Sequence, residues 1–416
     1  MTPATRQVPP VSPLLVSHFT ATSCLGHGLD AMSAALREGR SGLAPCCFSD
    51  VALDTYVGEV AQVDSVRLPP ALMAFDCRNN RLAELALAQD GFAQAVSSLV
   101  ARYGTHRIGV FAGTSTGGVL ETELAYRRRD ALTGALPAGF EYAKAHSSFS
   151  LASYLRARFG LQGPALGISS ACSSGAKVFV SARRMIEAGV IDAALVGGVD
   201  SLCHTTLYGF SSLELVSRQA CRPYDAHRDG ISIGEGGAFA LLERPAAHGA
   251  ELPGDAILLL GIGESSDAHH MSAPHPEGLG ARLAMAQALV SAGLQAGDLD
   301  YVNLHGTATR SNDAAEGRAM LDLLPRTPCS STKGATGHTL GAAGTIEAVA
   351  CALALRHGLL PGSANTTVLD PALPLAYLLR SRRAPLRFAL SNAFGFGGTN
   401  CSLLFGRADA VAGGRA

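Results

Sequence analysis

Three turns built from small residues carry side chains suited to thioester chemistry. Cys172 lies in GISSACSSGAKVFVSARRMIEAG, where Gly, Ala and Ser run straight into a strongly helical segment. A thiol at or just before a helix N-terminus faces unpaired backbone N–H groups and the positive end of the helix dipole. Both favour the thiolate, and small neighbours let a bulky thioester approach. A packed Cys in a tight turn is the plainer alternative. His305 ends a strand-like YVNL within NLHGTAT, and His338 sits in STKGATGHTLGAAG just before a helix-forming segment. Two such histidines can each present a ring nitrogen to one substrate oxygen, so a Cys with two His could form a thioester and then stabilise an enolate. Singly, each His reads more simply as a hydrogen-bonded structural residue. The three turns together favour chemistry.

Other features surround these. Lys333, five residues before His338, either tunes that ring electrostatically or faces solvent. SNAFGFGGTNCSLLF puts Phe394, Gly395 and Phe396 in a glycine-dense loop, where the backbone can turn sharply and offer an N–H to an oxyanion. A plain β-turn between two edge strands is the alternative there. DAHHMSAPHP holds Asp267, His269, His270 and His275, but adjacent histidines do not easily share one ion and the spacing matches no zinc pattern. A pocket wall is the preferred reading and no metal is expected. GTSTGG at 113–118 and GEGG at 234–237 lack the Walker lysine and the dinucleotide fingerprint. Arg127, Arg128 and Arg129 form the densest positive run, a candidate contact for an acidic carrier protein.

These residues need elements to hold them. Short apolar runs such as RIGVFAGTS, IDAALVGGVDS, YVNLHGT and RFALSNAFGFGG alternate with Ala/Leu-rich segments of helical period such as ARLAMAQALVSAGL and AAGTIEAVACALALRHG. That alternation reads as α/β, and several runs end in the Gly, Ser, Thr and His clusters where α/β sheets bind ligands. ERPAAHGAELPGDA, residues 243–256, collects Pro, Gly and charge between two strand-like runs. It divides the chain into a nucleophile-bearing half, 1–255, and a half, 256–416, carrying both His.

With 416 residues, 47% hydrophobic and 16% charged, the chain can bury one large core or two fused ones. A formal net charge of −1 and 6% aromatics with no Trp remove the case for nucleic acid as a partner. The N-terminus lacks signal-peptide organisation, and no apolar stretch approaches the roughly 20 residues of a membrane helix, so a cytoplasmic protein is expected. Ten Cys without a C-x-x-C pair read mostly as reduced, buried hydrophobes.

SSACSSG, RPYDAHRDGISIGEGG, DAHHMSAPHP, NLHGTAT, STKGATGHTLGAAG and SNAFGFGGTN occur in the order found in elongating β-ketoacyl-acyl-carrier-protein synthases, which the chain resembles from about residue 12 to 406. The resemblance implies a thiolase-like fold of two similar α/β halves stacked as five αβαβα layers, and a dimer formed across the nucleophile-bearing half. It implies Cys172 as the acyl-accepting nucleophile, its N–H and that of Phe396 as the oxyanion hole, and His305 with His338 as the pair that binds malonyl thioester oxygen. Lys333 takes the place of the supporting lysine and Phe396 that of the gating aromatic. Thr307 and Thr309 match hydroxyls that hold the phosphopantetheine arm, His270 falls among the substrate-binding positions, and Thr116 lies near the bottom of the acyl channel. Asn303, Glu347 and Ser391 match positions that hold a structural monovalent cation in some members. No cofactor is implied beyond the phosphopantetheine of acyl carrier protein, and the partner subunit is either a second copy or a ketosynthase-like chain-length subunit. Asn312 and FDCRNNRLAELAL at 75–87 depart from the common fatty acid enzymes and are similar to aryl-polyene ketosynthases. The rival readings are a non-catalytic chain-length subunit, a non-decarboxylating thiolase and a thioester hydrolase.

Overall fold

A computed structural model describes residues 12–245 and 252–413. Part of the expected linker, 246–251, and the first eleven residues of the N-terminal segment lie outside that range.

Ten strands build the frame. β1 (Leu14–Ser23), β2 (Ile108–Gly113), β3 (Ala165–Ile168), β4 (Ala193–Asp200) and β5 (Gly236–Glu243) lie in the order β3-β2-β4-β5-β1. β6 (Ile257–Ser266), β7 (Tyr301–Asn303), β8 (Cys329–Ser330), β9 (Phe388–Gly395) and β10 (Thr399–Arg407) lie in the order β8-β7-β9-β10-β6. In each half the first two pairings along that order are parallel and the next two antiparallel. The second half therefore repeats the first in both strand order and direction. A short antiparallel pairing of Leu14–Val16 with Ile257–Leu259 joins them. Every residue of β4 and β5 is buried, which is why these strands read as unbroken apolar runs rather than alternating ones.

Two helices fill the space between the sheets: α3 (Ser174–Glu187) and α7 (Ala343–His357). Ala343 through Leu355 are all buried, so the helical-period segment AAGTIEAVACALAL is apolar on every face because every face meets protein. Outside them, α1 (Arg78–Leu87) covers the first sheet, while α5 (Leu279–Ala292) and α6 (Arg310–Leu323) cover the second. Helix, sheet, helix, sheet and helix make the five layers. α2 (Val119–Arg127) and α4 (His204–Ser212) pack together at the end that bears the site.

Close approach in the middle layer depends on glycine. A Cβ on Gly175 would lie 2.7 Å from the Gly341 carbonyl oxygen, and one on Gly344 would lie 2.5 Å from the Ala176 nitrogen. Thr345 Oγ1 donates to the Gly175 carbonyl at 2.7 Å across the same seam. Because the halves repeat, the turn from β3 into α3, bearing Cys172, and the turn from β8 toward α7, bearing Lys333 and His338, are equivalent. The seam brings them face to face. No helix among the described residues is long and apolar enough to cross a membrane.

Candidate active site

Cys172 sits two residues ahead of α3 and is 6% exposed. The residue before it, Ala171, has φ +51°, a left-handed conformation that non-glycine residues adopt at a cost of about 1–3 kcal/mol. Ala308, three residues after His305, and Leu340, two after His338, share that region at φ +67° and +51°. Backbone strain is thus placed in all three turns that carry the reactive side chains. Surrounding packing must hold them there.

His305 and His338 face each other edge-on, ring centroids 5.4 Å apart, and both are 3% exposed. Burial, with Lys333 nearby, holds both rings well below the usual imidazole range, so both are neutral at physiological pH. Lys333 is itself 1% exposed. Its Nζ donates to the His305 carbonyl oxygen at 2.5 Å, to His305 Nδ1 at 3.2 Å and to Glu347 Oε1 at 2.5 Å. Of the two readings of Lys333, solvent exposure is excluded, but the ring it grips is His305 rather than His338. An ammonium can only donate, so Nδ1 of His305 accepts and the ring proton is on Nε2, free to donate to a substrate oxygen. Burial pushes Glu347 up to about 7. His338 is fixed through its backbone, its N–H on the Ser232 carbonyl at 2.8 Å and its carbonyl accepting from Gly234 N at 3.0 Å.

Two carboxylates that the sequence reading passed over hold the His305 turn. Glu316, 1% exposed, accepts from the N–H groups of His305 and Gly306, both at 2.8 Å, from Tyr224 Oη at 3.0 Å and from Asn392 Nδ2 at 3.0 Å. Asp313 accepts from Tyr224 N at 2.8 Å and Ala308 N at 3.2 Å. They stand three residues apart on one face of α6, a spacing visible in RSNDAAEG, and the apolar partners that would have marked that face as inward come from other elements.

One cleft is lined by Cys172, His305, His338, Thr307, Thr309, Asn312, Phe394, Gly395 and Phe396, with Asp267, Ser272, Ala273 and Pro274 along its wall. The DAHHMSAPHP segment is therefore the wall expected of it, its Asp267 Oδ1 taken by Asn400 Nδ2 at 2.9 Å. Thr307 and Thr309 hydroxyls are 2.9 Å apart. The glycine-dense loop joins β9 to β10, which are interior strands, so the alternative of a turn between edge strands does not hold. The Phe396 N–H opposes the rise of the Cys172 thiol, and the Phe396 ring rests on Phe210 of α4 at 5.6 Å.

Three expectations are corrected. The helix N-terminus does not make Cys172 a resting thiolate, because burial is the larger influence. It pushes the thiol up to about 11 even with Lys333 and the Phe396 N–H opposing it. His270 is exposed, outside the cleft lining, and its Nδ1 merely accepts from Ser272 N at 3.2 Å. Thr116 is buried behind the cleft and its hydroxyl donates to Asp200 at 2.7 Å, so it has no free polar contact for an acyl chain. Arg127, Arg128 and Arg129 are exposed at the end of α2, and Arg127 pairs with Asp50 at 2.8 Å. Asn303 Oδ1 and Glu347 Oε2 are buried without a hydrogen-bond partner, a fit for a hard monovalent cation, whereas the Ser391 hydroxyl is turned to Cys351.

The thiol's position sets a pH dependence. Below its pKa the thiolate fraction rises about tenfold per pH unit, so alkylation of Cys172 by iodoacetamide should accelerate steadily from pH 7 to 9. A rate that levels off below pH 8 would show a stabilised thiolate and contradict the dominance of burial.

A duplicated α/β scaffold that presents a buried thiol to two neutral imidazoles across its middle layer is thiolase-like. Residues 75–248 match the sequence model of the β-ketoacyl synthase N-terminal domain and residues 257–367 that of the C-terminal domain, and the chain belongs to the β-ketoacyl synthase family. It is 34% identical over 383 residues to nodulation protein E of Rhizobium meliloti, 89% of this chain and 93% of that one. It is 40% identical over 267 residues to the mitochondrial 3-oxoacyl-[acyl-carrier-protein] synthase of Arabidopsis thaliana, covering 60% of this chain. That alignment spans 57% of the plant enzyme, and the one with 3-oxoacyl-[acyl-carrier-protein] synthase 2 of R. meliloti spans 62% of its length. Among solved structures, the ketosynthase ApeO of Xenorhabdus doucetiae, in complex with its chain length factor ApeC, is 36% identical with a TM-score of 0.84. The match covers 95% of this chain and 98% of that one.

Proposed function

We propose that the protein is a 3-oxoacyl-[acyl-carrier-protein] synthase that condenses an acyl thioester with a malonyl thioester and releases carbon dioxide. The convergence of Cys172 with two neutral histidines in one cleft carries this reading. In the first step Cys172 Sγ attacks the acyl thioester, and its proton passes by way of a neutral imidazole to the departing carrier thiolate. In the second, the malonyl thioester oxygen lies between the two rings, with Nε2–H of His305 donating to it. The carboxylate leaves as carbon dioxide, its electron pair forms the enolate, and the enolate carbon attacks the acyl carbonyl and expels Cys172 as thiolate. The charge of the malonyl carboxylate ends on sulfur, and a site that raises the thiol's pKa favours its reprotonation. Neutral rings matter because an imidazolium would lose its proton to the enolate rather than merely hydrogen-bond it. Carbon dioxide release in step with 3-oxoacyl formation tests the reading; acyl thioester hydrolysis without it would indicate a hydrolase.

Thr307 and Thr309 line the entry to Cys172, where a phosphopantetheine arm would pass. A docking role for the Arg run toward an acyl carrier protein is supported by its place at the end of α2, which packs against α4, whose Phe210 lines the cleft. Among the described residues, Arg128 and Arg129 have no carboxylate partner like the Asp50 that pairs with Arg127. Reversing both to Glu should raise the apparent KM for carrier-bound substrate roughly fivefold, the scale of two exposed ion pairs, and added salt should mimic it. Equal loss with short pantetheine substrates would remove the docking role.

The intact nucleophile speaks against a non-catalytic chain-length subunit. A partner subunit covering the first half is supported by Met73, Leu132, Tyr142 and Phe149, large apolar side chains that this half leaves 45–97% exposed. Polyene substrates are supported by Asn312, which lines the cleft, and by the likeness to a ketosynthase that pairs with a chain length factor.

A further inference from the structure

Asp200 ends β4 directly beneath the seam between the two halves and is fully buried. Its carboxylate accepts from the hydroxyls of Thr114 (2.5 Å), Ser115 (2.5 Å) and Thr116 (2.7 Å), and from the N–H groups of Ser115 (2.9 Å), Thr116 (3.0 Å) and Gly341 (2.5 Å). Five of those donors belong to the loop after β2, in the nucleophile-bearing half. The sixth belongs to the turn that carries His338. Gly341 also presses its carbonyl on Gly175, in the first turn of α3, the helix that follows Cys172, and a Cβ on Gly341 would lie 2.7 Å from Asp200 Oδ2 and from Ser115 N. Between His338 and Gly341 stands Leu340 with its left-handed φ of +51°, a conformation that persists only where the residues on either side are fixed. On one side His338 is held through its backbone by Ser232 and Gly234. On the other, the Gly341 N–H donates to Asp200 at 2.5 Å and more distantly to the Ser115 hydroxyl at 3.3 Å, and the bond to the carboxylate is the charge-assisted one.

We propose that Asp200 is the positioning residue that fixes the His338 turn against the Cys172 helix, setting the ring's place over the malonyl thioester. It touches no substrate atom and acts through Gly341. The carboxylate is needed because an amide cannot accept from six donors at once: one end of Asn would turn its own N–H groups toward them. The same anion holds Thr116, so the loop behind the cleft and the decarboxylating His share one anchor. This rests on the role proposed above for His338.

The test is steady-state decarboxylation of malonyl thioester by Asp200→Asn, with His338→Ala measured alongside and thermal unfolding of each variant recorded. The expected result is a folded Asp200→Asn protein whose kcat falls about 10²-fold, the scale of a 1 Å misplacement of a catalytic group, while KM for malonyl thioester stays within about twofold. A merely structural role would lower apparent kcat only in proportion to the fraction of folded enzyme, so kcat is referred to the folded protein titrated by alkylation of Cys172, where that loss disappears and a misplaced ring's loss remains. If Asp200→Asn does not fold, Gly341→Ala displaces the same turn and should give the same split. Decarboxylation within about threefold of the unsubstituted enzyme in the folded variant overturns the proposal. If His338→Ala also retains it, the reading of His338 fails instead.

Discussion

Cys172→Ala should form no acyl-enzyme and no 3-oxoacyl product, with condensation reduced by about 10⁴-fold or more, because removal of a covalent nucleophile leaves only the binding and charge stabilisation of the rest of the site. No neighbour can substitute. The other nine cysteines are free thiols, yet Cys203 and Cys221, close in sequence to cleft residues, are buried and lie outside the cleft lining. Cys47 is exposed and lies outside the cleft. The substitution removes one sulfur from a turn whose shape is set by Ser170, Ser173 and Ser174, through the bonds of Ser173 N to the Ser170 carbonyl and Ser174 N to the Ala171 carbonyl, so the fold should persist. Acyl label retained by the variant, or moved to Cys47, would show that the nucleophile lies elsewhere.

His305→Ala and His338→Ala should each slow carbon dioxide release from malonyl thioester by about 10²–10³-fold, the loss measured when one donor to a developing oxyanion is removed. Acyl transfer to Cys172 should suffer less, since the backbone N–H groups of Cys172 and Phe396, expected from the family likeness to serve the acyl carbonyl, are untouched. His305→Ala removes the ring but keeps the backbone carbonyl and Glu347 as partners of Lys333, so the buried ammonium stays paired and gross unfolding is not expected. His338→Ala removes a ring that accepts no bond from Lys333, so the two variants probe the two donors separately. Unchanged carbon dioxide release in both would eliminate the paired-imidazole site.

Much of this was legible before any coordinates. Cys172, His305 and His338 all stand where an apolar run breaks into Gly, Ser and Thr, and in a mixed sheet those breaks fall at strand ends that converge on one edge. The alternation of apolar runs with helical segments gave the α/β class. The repeat of strand order between the halves was implied by family likeness and is visible only in the pairing. What sequence could not show was burial acting on charge. A Cys before a helix reads as a thiolate until the packing of the second half over it is known, and Lys333 reads equally as a ring-tuning or a solvent-facing cation until Glu347 closes on it from α7. Asp200, Glu316 and Asp313 looked like ordinary acids because their work is to bind backbone N–H groups brought to them by other elements. Thr116 has no free hydroxyl for an acyl chain for the same reason: the carboxylate that takes it is 84 positions away.

The central claim is that one thiol carries the acyl group and that condensation consumes it with loss of carbon dioxide. Intact-mass measurement of the enzyme, taken before and after malonyl thioester is added to protein loaded from an acyl thioester, tests it most directly. The expected result is a single acyl adduct mapped to Cys172 that disappears on addition of malonyl thioester, with one carbon dioxide and one 3-oxoacyl product formed per adduct lost. An adduct that disappears as free acid without carbon dioxide, or product that forms while the adduct remains, would contradict it.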